Sequence, residues 1–288
     1  MKAKFIILTP VYKDWNNLKK LLVKINVLFS KKLQSNFDLI VVDDCSNQQI
    51  NLKKLRVSKV KKIKIIKLTE NLGSQKAIAI GIKLVQKIYS KNYKLIIIDS
   101  DGQDNPSGIL KMIIKSKNFN SSVVARRGQR KEDLCFKIFY EIYCFSIFIL
   151  SLRKIRYGNF SILKDVDVKK ISLDKNLWSA FPPTLAINVK NISSVTINRE
   201  KRFSGKSKVN FLGLFYHALK VFSVLRYRIF FTTLLYTILS YIILYKSIFP
   251  LFPIILILII SLNLSNFIIS YLNKKNLNKN FKKKILKI

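Results

Sequence analysis

The sequence predicts an α/β protein: a mostly parallel sheet with helices on its faces, followed by a two-helix transmembrane hairpin. Three observations predict this. Short β-rich runs alternate with helical stripes as far as about residue 125. Polar motifs fall where those runs end. Two uncharged apolar segments then lie side by side near the C-terminus.

The strand signals are FIIL (5–8), LIVV (39–42), KIKIIKL (62–68), LIII (95–98) and SVVA (122–125). Between the first two, Leu18, Leu21, Leu22, Ile25, Leu28 and Phe29 recur at helical spacing. AIAIGIKLVQKIY (77–89) is the second helical stripe. Alternating strands and helices imply parallel strands covered on both faces. Ligands of such sheets bind beyond the carboxyl ends of the strands. TPVYKD, DDCSN, TENLGSQK and DSDGQD all fall there. The opening apolar run breaks at Thr9-Pro10, which reads as a first strand rather than a signal peptide.

IFFTTLLYTILSYIILY (229–245) and IFPLFPIILILIISLNLSNFIISYL (248–272) carry no charge. A spanning helix needs roughly 20 apolar residues, with about 17 as the lower end. Lys246 and Ser247 alone separate the two, so a hairpin is expected, with Pro250 and Pro253 in the first turns of its second helix. The tail 273–288 holds seven lysines. Basic flanks on both sides place the first domain and the C-terminus in the cytoplasm, on a multi-pass protein of the cytoplasmic membrane. LCFKIFYEIYCFSIFIL (134–150) is interrupted only by Lys137 and Glu141. It reads as a helix lying in the membrane interface or as a buried core helix. The expected organisation is a domain over 1–225 with an interfacial helix near 133–151, the hairpin over 229–272, and a cytoplasmic tail.

The net charge is +38, from 53 Lys+Arg against 15 Asp+Glu. A hydrophobic content of 49% excludes a disordered basic chain. The charge suits phosphorylated substrates, anionic lipid or nucleic acid. Because the basic tail directly follows a span, anionic membrane lipid is the expected partner and nucleic acid is not. Cys45, Cys135 and Cys144 form no CxxC pair and no disulfide framework, as in a reduced, cytosol-facing protein. His217, the single histidine, lies in an apolar helical stretch and reads as packing.

LIIIDSDGQDNP (95–106) gathers acid at a strand end. Asp99 and Asp101 are two residues apart where the chain turns, and Gln103 adds a neutral oxygen. Hard oxygens suit Mg²⁺ or Mn²⁺ that also hold substrate phosphates. Asp104-Asn105-Pro106 resembles a helix start. At Asp43-Asp44, one carboxylate is placed to accept hydrogen bonds from a ribose or base. Gly73 precedes a helix start with Lys76 in its first turn, which serves either as an anion site or as an ordinary cap.

The order TPVYKD, VVDDCSN, NLGSQKAIAIG, IIDSDGQDNP, RRGQRKED and RFSGKSKVNF resembles the family 2 glycosyltransferases. Within them it is similar to the dolichol-phosphate mannosyltransferases and bacterial undecaprenyl-phosphate sugar transferases. The resemblance runs over about residues 3 to 225. It implies a GT-A fold, a nucleotide-sugar donor, a polyprenyl phosphate acceptor and a divalent metal. It also implies Asp99, Asp101 and Gln103 as the metal and diphosphate site. Pro10, Tyr12, Asp14, Asp43 and Asp44, with Gly73 and Lys76, would line the nucleotide. Arg127 and Arg130 would meet the acceptor phosphate. Arg202, Gly205, Ser207 and Lys208 would lie near both phosphates. Asp104 serves as a base if the acceptor is a glycan hydroxyl, which is the alternative activity; an inactive membrane scaffold is another, and a homo-oligomer stays open. The chain departs from the family pattern at Asn159, Ser161, Asp165 and Val209, where an acidic residue, Phe-Arg-Leu with a later Arg, and Tyr are usual.

Overall fold

The computed structural model describes residues 4–48, 55–128, 134–205, 211–248, 252–280 and 285–286. All five expected strands form: β1 (Lys4–Val11), β2 (Phe37–Asp43), β3 (Val60–Leu68), β4 (Tyr93–Ile97) and β5 (Ser122–Arg127). Three more join them: β6 (Tyr157–Lys164), β7 (Ile192–Ile197) and the two-residue β8 (Ile285–Leu286). The sheet order is β7-β5-β6-β4-β1-β2-β3-β8. β1 pairs in parallel with β2 and β4, β2 with β3, and β5 with β7. β6 runs antiparallel between β4 and β5. The sheet is therefore mixed but mostly parallel.

Alternation along the strands feeds two cores. Ile7, Leu39, Val41 and Ile96 face α1 (Trp15–Leu28) and α3 (Ser107–Phe119). Leu8, Ile40, Val42 and Ile97 face α2 (Ser74–Ile88), which is followed on this side by α5 (Asp165–Leu173) and α6 (Phe181–Asn188). The stripe Leu18, Leu21, Leu22 and Ile25 is the buried face of α1. Gly81 lets α2 lie close on β1: a Cβ there would stand 2.2 Å from the Leu8 side chain.

A third cluster joins the domain to α4 (Leu134–Ser151), α7 (Phe211–Val224) and α8 (Arg226–Ile248) through Ile147, Val221, Leu225 and Ile229. α7 and α8 meet at a 77° bend. α9 (Phe252–Asn280) returns antiparallel to α8. Tyr241 meets Phe252 at 5.5 Å, Asn263 Nδ2 donates to Thr233 Oγ1 at 3.0 Å, and Tyr227 meets Phe267 at 5.5 Å. Among the described residues, one helix, Phe252–Lys274, is by itself long and apolar enough to cross a membrane, with mean hydropathy 2.3. α7 and α8 reach that threshold only together, across their bend. The expected transmembrane hairpin thus appears as a helical hairpin with a single candidate span. Residues 281–284 and 287–288 of the tail lie outside the described residues.

Ile97, the last residue of β4, is fully buried two positions before Asp99. Ile97→Ala is expected to lower the unfolding free energy by about 2–5 kcal/mol through the lost contacts and the cavity left behind, measured by denaturant titration of the solubilised chain.

Candidate functional site

β1, β2 and β4 all end on one edge, so the loops after them are neighbours. Backbone bonds tie them together: Asp44 N donates to Val11 O at 2.7 Å, and Ile98 N to Leu8 O at 3.1 Å. Asp14, Asp43, Asp44, Asp99 and Asp101 therefore gather along one rim.

The segment 198–205 is strapped across that rim. Glu200 N donates to Gln103 O at 2.8 Å, and Phe203 N to Asp101 O at 3.1 Å. Asp104 and Arg199 form a further antiparallel bridge. Gly102 adopts φ +80°, and a Cβ there would come within 2.2 Å of the Phe203 ring. Only glycine combines that backbone with that contact. The Arg202 guanidinium pairs with Asp14 on one side and with Asp101 on the other, the latter at 3.4 Å. These side chains are only 14–15% exposed, so the bridge is partly shielded from water. Ser204 Oγ donates to Asn17 Oδ1 at 2.6 Å, and Asn17 Nδ2 donates to Asp14 Oδ1 at 3.0 Å.

Asp99 has a different neighbour. Asn159 Nδ2 donates to its two oxygens at 3.2 and 3.4 Å. Asn159 Oδ1 accepts from Gln75 Nε2 at 2.9 Å, and Gln75 Oε1 accepts from Phe181 N at 2.8 Å. A relay of two amides thus fixes the carboxylate against α2 and α6. A small hollow beside it is lined by Asp99, Asp104, Arg126, Asn159 and Arg199. Arg199 Nε is buried there without a hydrogen-bond partner among the described residues.

Several expected residues take different places. Asp44 does not face open space: its carboxylate accepts from Leu72 N at 2.7 Å and Gly73 N at 2.8 Å. Burial pushes its pKa up, opposed by those two bonds and by Lys76, and Asp43 adds to the rise. The N–H groups before α2 are thus already engaged by Asp44. Gly73 does precede the helix, at φ +85°, and Lys76 Nζ lies over the Trp178 ring at 5.5 Å. Asp43 Oδ1 accepts from Ser46 N at 3.1 Å. Pro10 is buried in β1 opposite Val42, and Tyr12 lies just beyond with Lys13 over its ring at 5.3 Å. At the start of α3, Asn105 Oδ1 accepts from Ser107 N at 2.8 Å. Arg127 ends β5. Arg130, Ser207 and Lys208 lie outside the described residues. The sequence reading overlooked Gln75, Arg126 and Arg199. Gln75 sits inside a motif already singled out, NLGSQK, and Arg126 directly precedes an expected site arginine.

A divalent cation fits the donor chemistry of this rim. Asp99, Asp101 and Gln103 offer hard oxygens, but among the described residues no group of three or more His, Cys, Asp or Glu is placed to hold a metal ion by itself. Mg²⁺ and Mn²⁺ are commonly held this way, by one or two carboxylates with substrate phosphate completing the shell.

Comparison with known proteins decides the family. The description "Glycosyl transferase family 2" matches residues 6–161. The chain belongs to this family. A curated relative, an uncharacterised glycosyltransferase of Synechocystis, is 26% identical over 76% of this chain and 68% of its own length. Among solved structures, Staphylococcus aureus TarS in complex with UDP-GlcNAc has a TM-score of 0.50 at 16% identity, covering 78% of this chain and 66% of that one. The chain spans 39% of a longer TarS chain. Glucosyl-3-phosphoglycerate synthase of Mycobacterium tuberculosis, crystallised with Mn²⁺, UDP and glucosyl-3-phosphoglycerate, has a TM-score of 0.51 at 12% identity, covering 78% and 80%. These likenesses show the GT-A-type fold that the motif order implies.

Two substitutions probe the rim. Arg202→Ala leaves Asp14 and Asp101 without their shared cation, and a loss of about 1–3 kcal/mol of stability is expected in a thermal or denaturant melt. Asn159→Asp replaces a donor with a like charge beside Asp99 and raises its pKa. The acid limb of any transfer pH profile is expected to move upward.

Proposed function

We propose that the chain transfers a sugar from a nucleotide-sugar donor to polyprenyl phosphate, with inversion, at the cytoplasmic face of a membrane. The observation that carries this reading is one of chain order: the strap across the rim ends at Gly205, and the chain resumes at Phe211 in α7, one of a layer of helices that expose apolar side chains. Ile138, Phe139, Ile142 and Phe145 are exposed on α4, Leu214 and Phe215 on α7, and Ile257 and Leu258 on α9. Membership of a glycosyltransferase family supplies the reaction class.

On this reading Asp99, Asp101 and Gln103 hold Mg²⁺ or Mn²⁺, which when bound neutralises charge on the departing nucleoside diphosphate. Pro10, Tyr12, Asp14 and Asp43 border the nucleotide, while Asp44 orders the loop before α2. Arg202 leaves its carboxylates for the donor diphosphate, a planar guanidinium being suited to two-point contact with phosphate. Arg127 and Arg130 meet the acceptor phosphate, joined by Ser207 and Lys208. An acceptor phosphate is already an anion and attacks the anomeric carbon without a strong base. The task of the chain is then positioning and electrostatic stabilisation. Anionic membrane lipids hold the basic tail.

A second reading is favoured by one observation. Asp104 lines the same hollow as Asp99, where a carboxylate is placed to deprotonate a glycan hydroxyl. The two readings separate in one experiment. Membranes containing the chain are incubated with labelled nucleotide sugars, Mg²⁺ or Mn²⁺, and either polyprenyl phosphate or a soluble glycan. Lipid-linked sugar is expected from at least one donor. Label appearing only in glycan supports the second reading, and none in either supports a scaffold. Asp101→Asn is expected to reduce transfer at least about 100-fold while circular dichroism stays unchanged. Asp104→Asn is expected to spare transfer to lipid phosphate.

A further inference from the structure

Arg202 shares its partners with a buried amide. Its Nε donates to Ser204 O at 3.0 Å, Nη2 pairs with Asp14, and Nη1 reaches Asp101 at 3.4 Å. Asn17 donates to two of the same three residues. Its Nδ2 reaches Asp14 Oδ1 at 3.0 Å and Ser204 O at 3.1 Å. Its Oδ1 accepts from Ser204 Oγ at 2.6 Å. The four residues close a ring. Within it, the Asp14 carboxylate and the Ser204 carbonyl each meet both the guanidinium and the amide.

Asn17 is 2% exposed and lies on the buried face of α1, beside Leu18 and Leu21. Asparagine is a poor helix residue, and a buried amide is costly unless its donors and acceptor are met. Here both the nitrogen and the oxygen are met, and by Asp14 and Ser204 alone. The opposite amide orientation would turn the oxygen toward a carboxylate and a carbonyl. The chemistry of the partners therefore fixes which way the amide lies.

The strap backbone is pinned on both sides of Arg202. Upstream, Glu200 N donates to Gln103 O, and the Glu200 carboxylate stands 3.3 Å from Lys24 Nζ of α1. Downstream, Phe203 N donates to Asp101 O, and Lys24 Nζ lies 4.6 Å from the centre of the Phe203 ring. The Arg202 side chain, by contrast, borders a cavity of about 240 Å³ that Asp14, Asn17 and Ser204 also line. The guanidinium has room to turn while the strap stays where it is.

Turning is costly if it strips the partners left behind, because a buried acceptor without a donor loses more than a hydrogen bond contributes on balance. Each partner of Arg202 has a second donor. Asp14 and the Ser204 carbonyl keep Asn17, and Asp101 Oδ1 keeps Gln103 N at 3.0 Å. We propose that Asn17 is a positioning residue for sugar transfer: it holds Asp14 and the Ser204 carbonyl in place of Arg202, so that the guanidinium swings to the donor diphosphate across a fixed strap. This assignment rests on the nucleotide-sugar reading of the rim and adds the residue that makes Arg202 releasable.

The test uses the full chain in detergent micelles. Modification of Arg202 by phenylglyoxal, followed by mass spectrometry of its peptide, reports how firmly the guanidinium is held. Asn17→Asp keeps an acceptor for Ser204 Oγ and sets a carboxylate where the amide donor was. Arg202 is then the one side chain still donating to Asp14 and the Ser204 carbonyl, and it is expected to react several-fold more slowly than in the unmodified chain. Asn17→Leu removes the donor without adding charge and is expected to slow the reaction in the same direction. If Asn17 merely docked the strap, both variants would free Arg202 and quicken the reaction. A faster or unchanged rate in a folded variant overturns the proposal. UDP, GDP, CDP and ADP are then titrated with Mg²⁺. Whichever binds the unmodified chain is expected to bind Asn17→Asp about tenfold more weakly, as for one charge-assisted contact withheld; equal affinity overturns the proposal. In the unmodified chain, deuterium uptake by the peptide spanning 198–205 is expected not to rise when the nucleotide binds. A rise means that the strap moves as a lid, and it overturns the proposal even if both variants fail to fold. Should none of the four nucleotides bind, the donor reading of the rim fails, while the phenylglyoxal rates still decide the role of Asn17.

Discussion

Everything at the rim depends on β1 lying between β2 and β4 with all three parallel. Parallel neighbours end on the same edge, so three separate stretches of sequence deliver their first polar residues to one place. The strands behind them are close to fully buried on both faces, which fixes register, since a slip by one residue would reverse every side chain. The crossover helices follow from the same constraint, because parallel strands need long connections. Those helices in turn supply Asn17 and Gln75, the amides that steady Asp14 and the Asp99 relay. Core packing and polar geometry are therefore one arrangement.

The electrostatic balance of the rim is close. Asp14, Asp99, Asp101 and Asp104 would repel one another in a half-buried setting. Two devices offset this. Arg202 bridges a pair of them, and Asn159 offers its N–H donors to Asp99. The departure noted in the sequence thus sits at the first contact of a proposed ligand-holding carboxylate. Its chemical effect is to place two amide N–H donors, rather than a further negative charge, against the Asp99 carboxylate.

The alternating half of the fold was legible in the sequence because buried parallel strands are short apolar runs with little ambiguity, as LIVV and LIII show. β6 and β7 were not. YGNFSILK and ISSVTI carry several small or polar residues, so their apolar signal is weak, and long-range pairing decides their state. The identity of the acidic cluster was equally visible, but its partners were not. Arg202 meets Asp101 across about a hundred positions, and spacing alone cannot reveal such a contact. Asp104 looked like a helix cap on composition; the neighbouring Asn105 accepts from Ser107 N, and a backbone bridge ties Asp104 to Arg199, a partner that spacing could not reveal. The two C-terminal helices were readable from their apolar runs, but only the second is by itself apolar and long enough to span a membrane, and the 77° bend between α7 and α8 accompanies tertiary packing of Leu225 and Ile229.

The relay behind Asp99 has a polarity. A proton donor is required at one end, toward the carboxylate, and an acceptor at the other, toward Phe181 N. Asparagine and glutamine are the side chains that present a donor and an acceptor on one flat group, and here each is locked in one of its two orientations. Amides are also among the more heat-labile side chains. Hydrolysis of Gln75 would leave a carboxylate with no hydrogen to offer Asn159, and rotation could not repair it. Chemical ageing at a single atom, with no change in the genetic sequence, would therefore reach the edge where chemistry takes place.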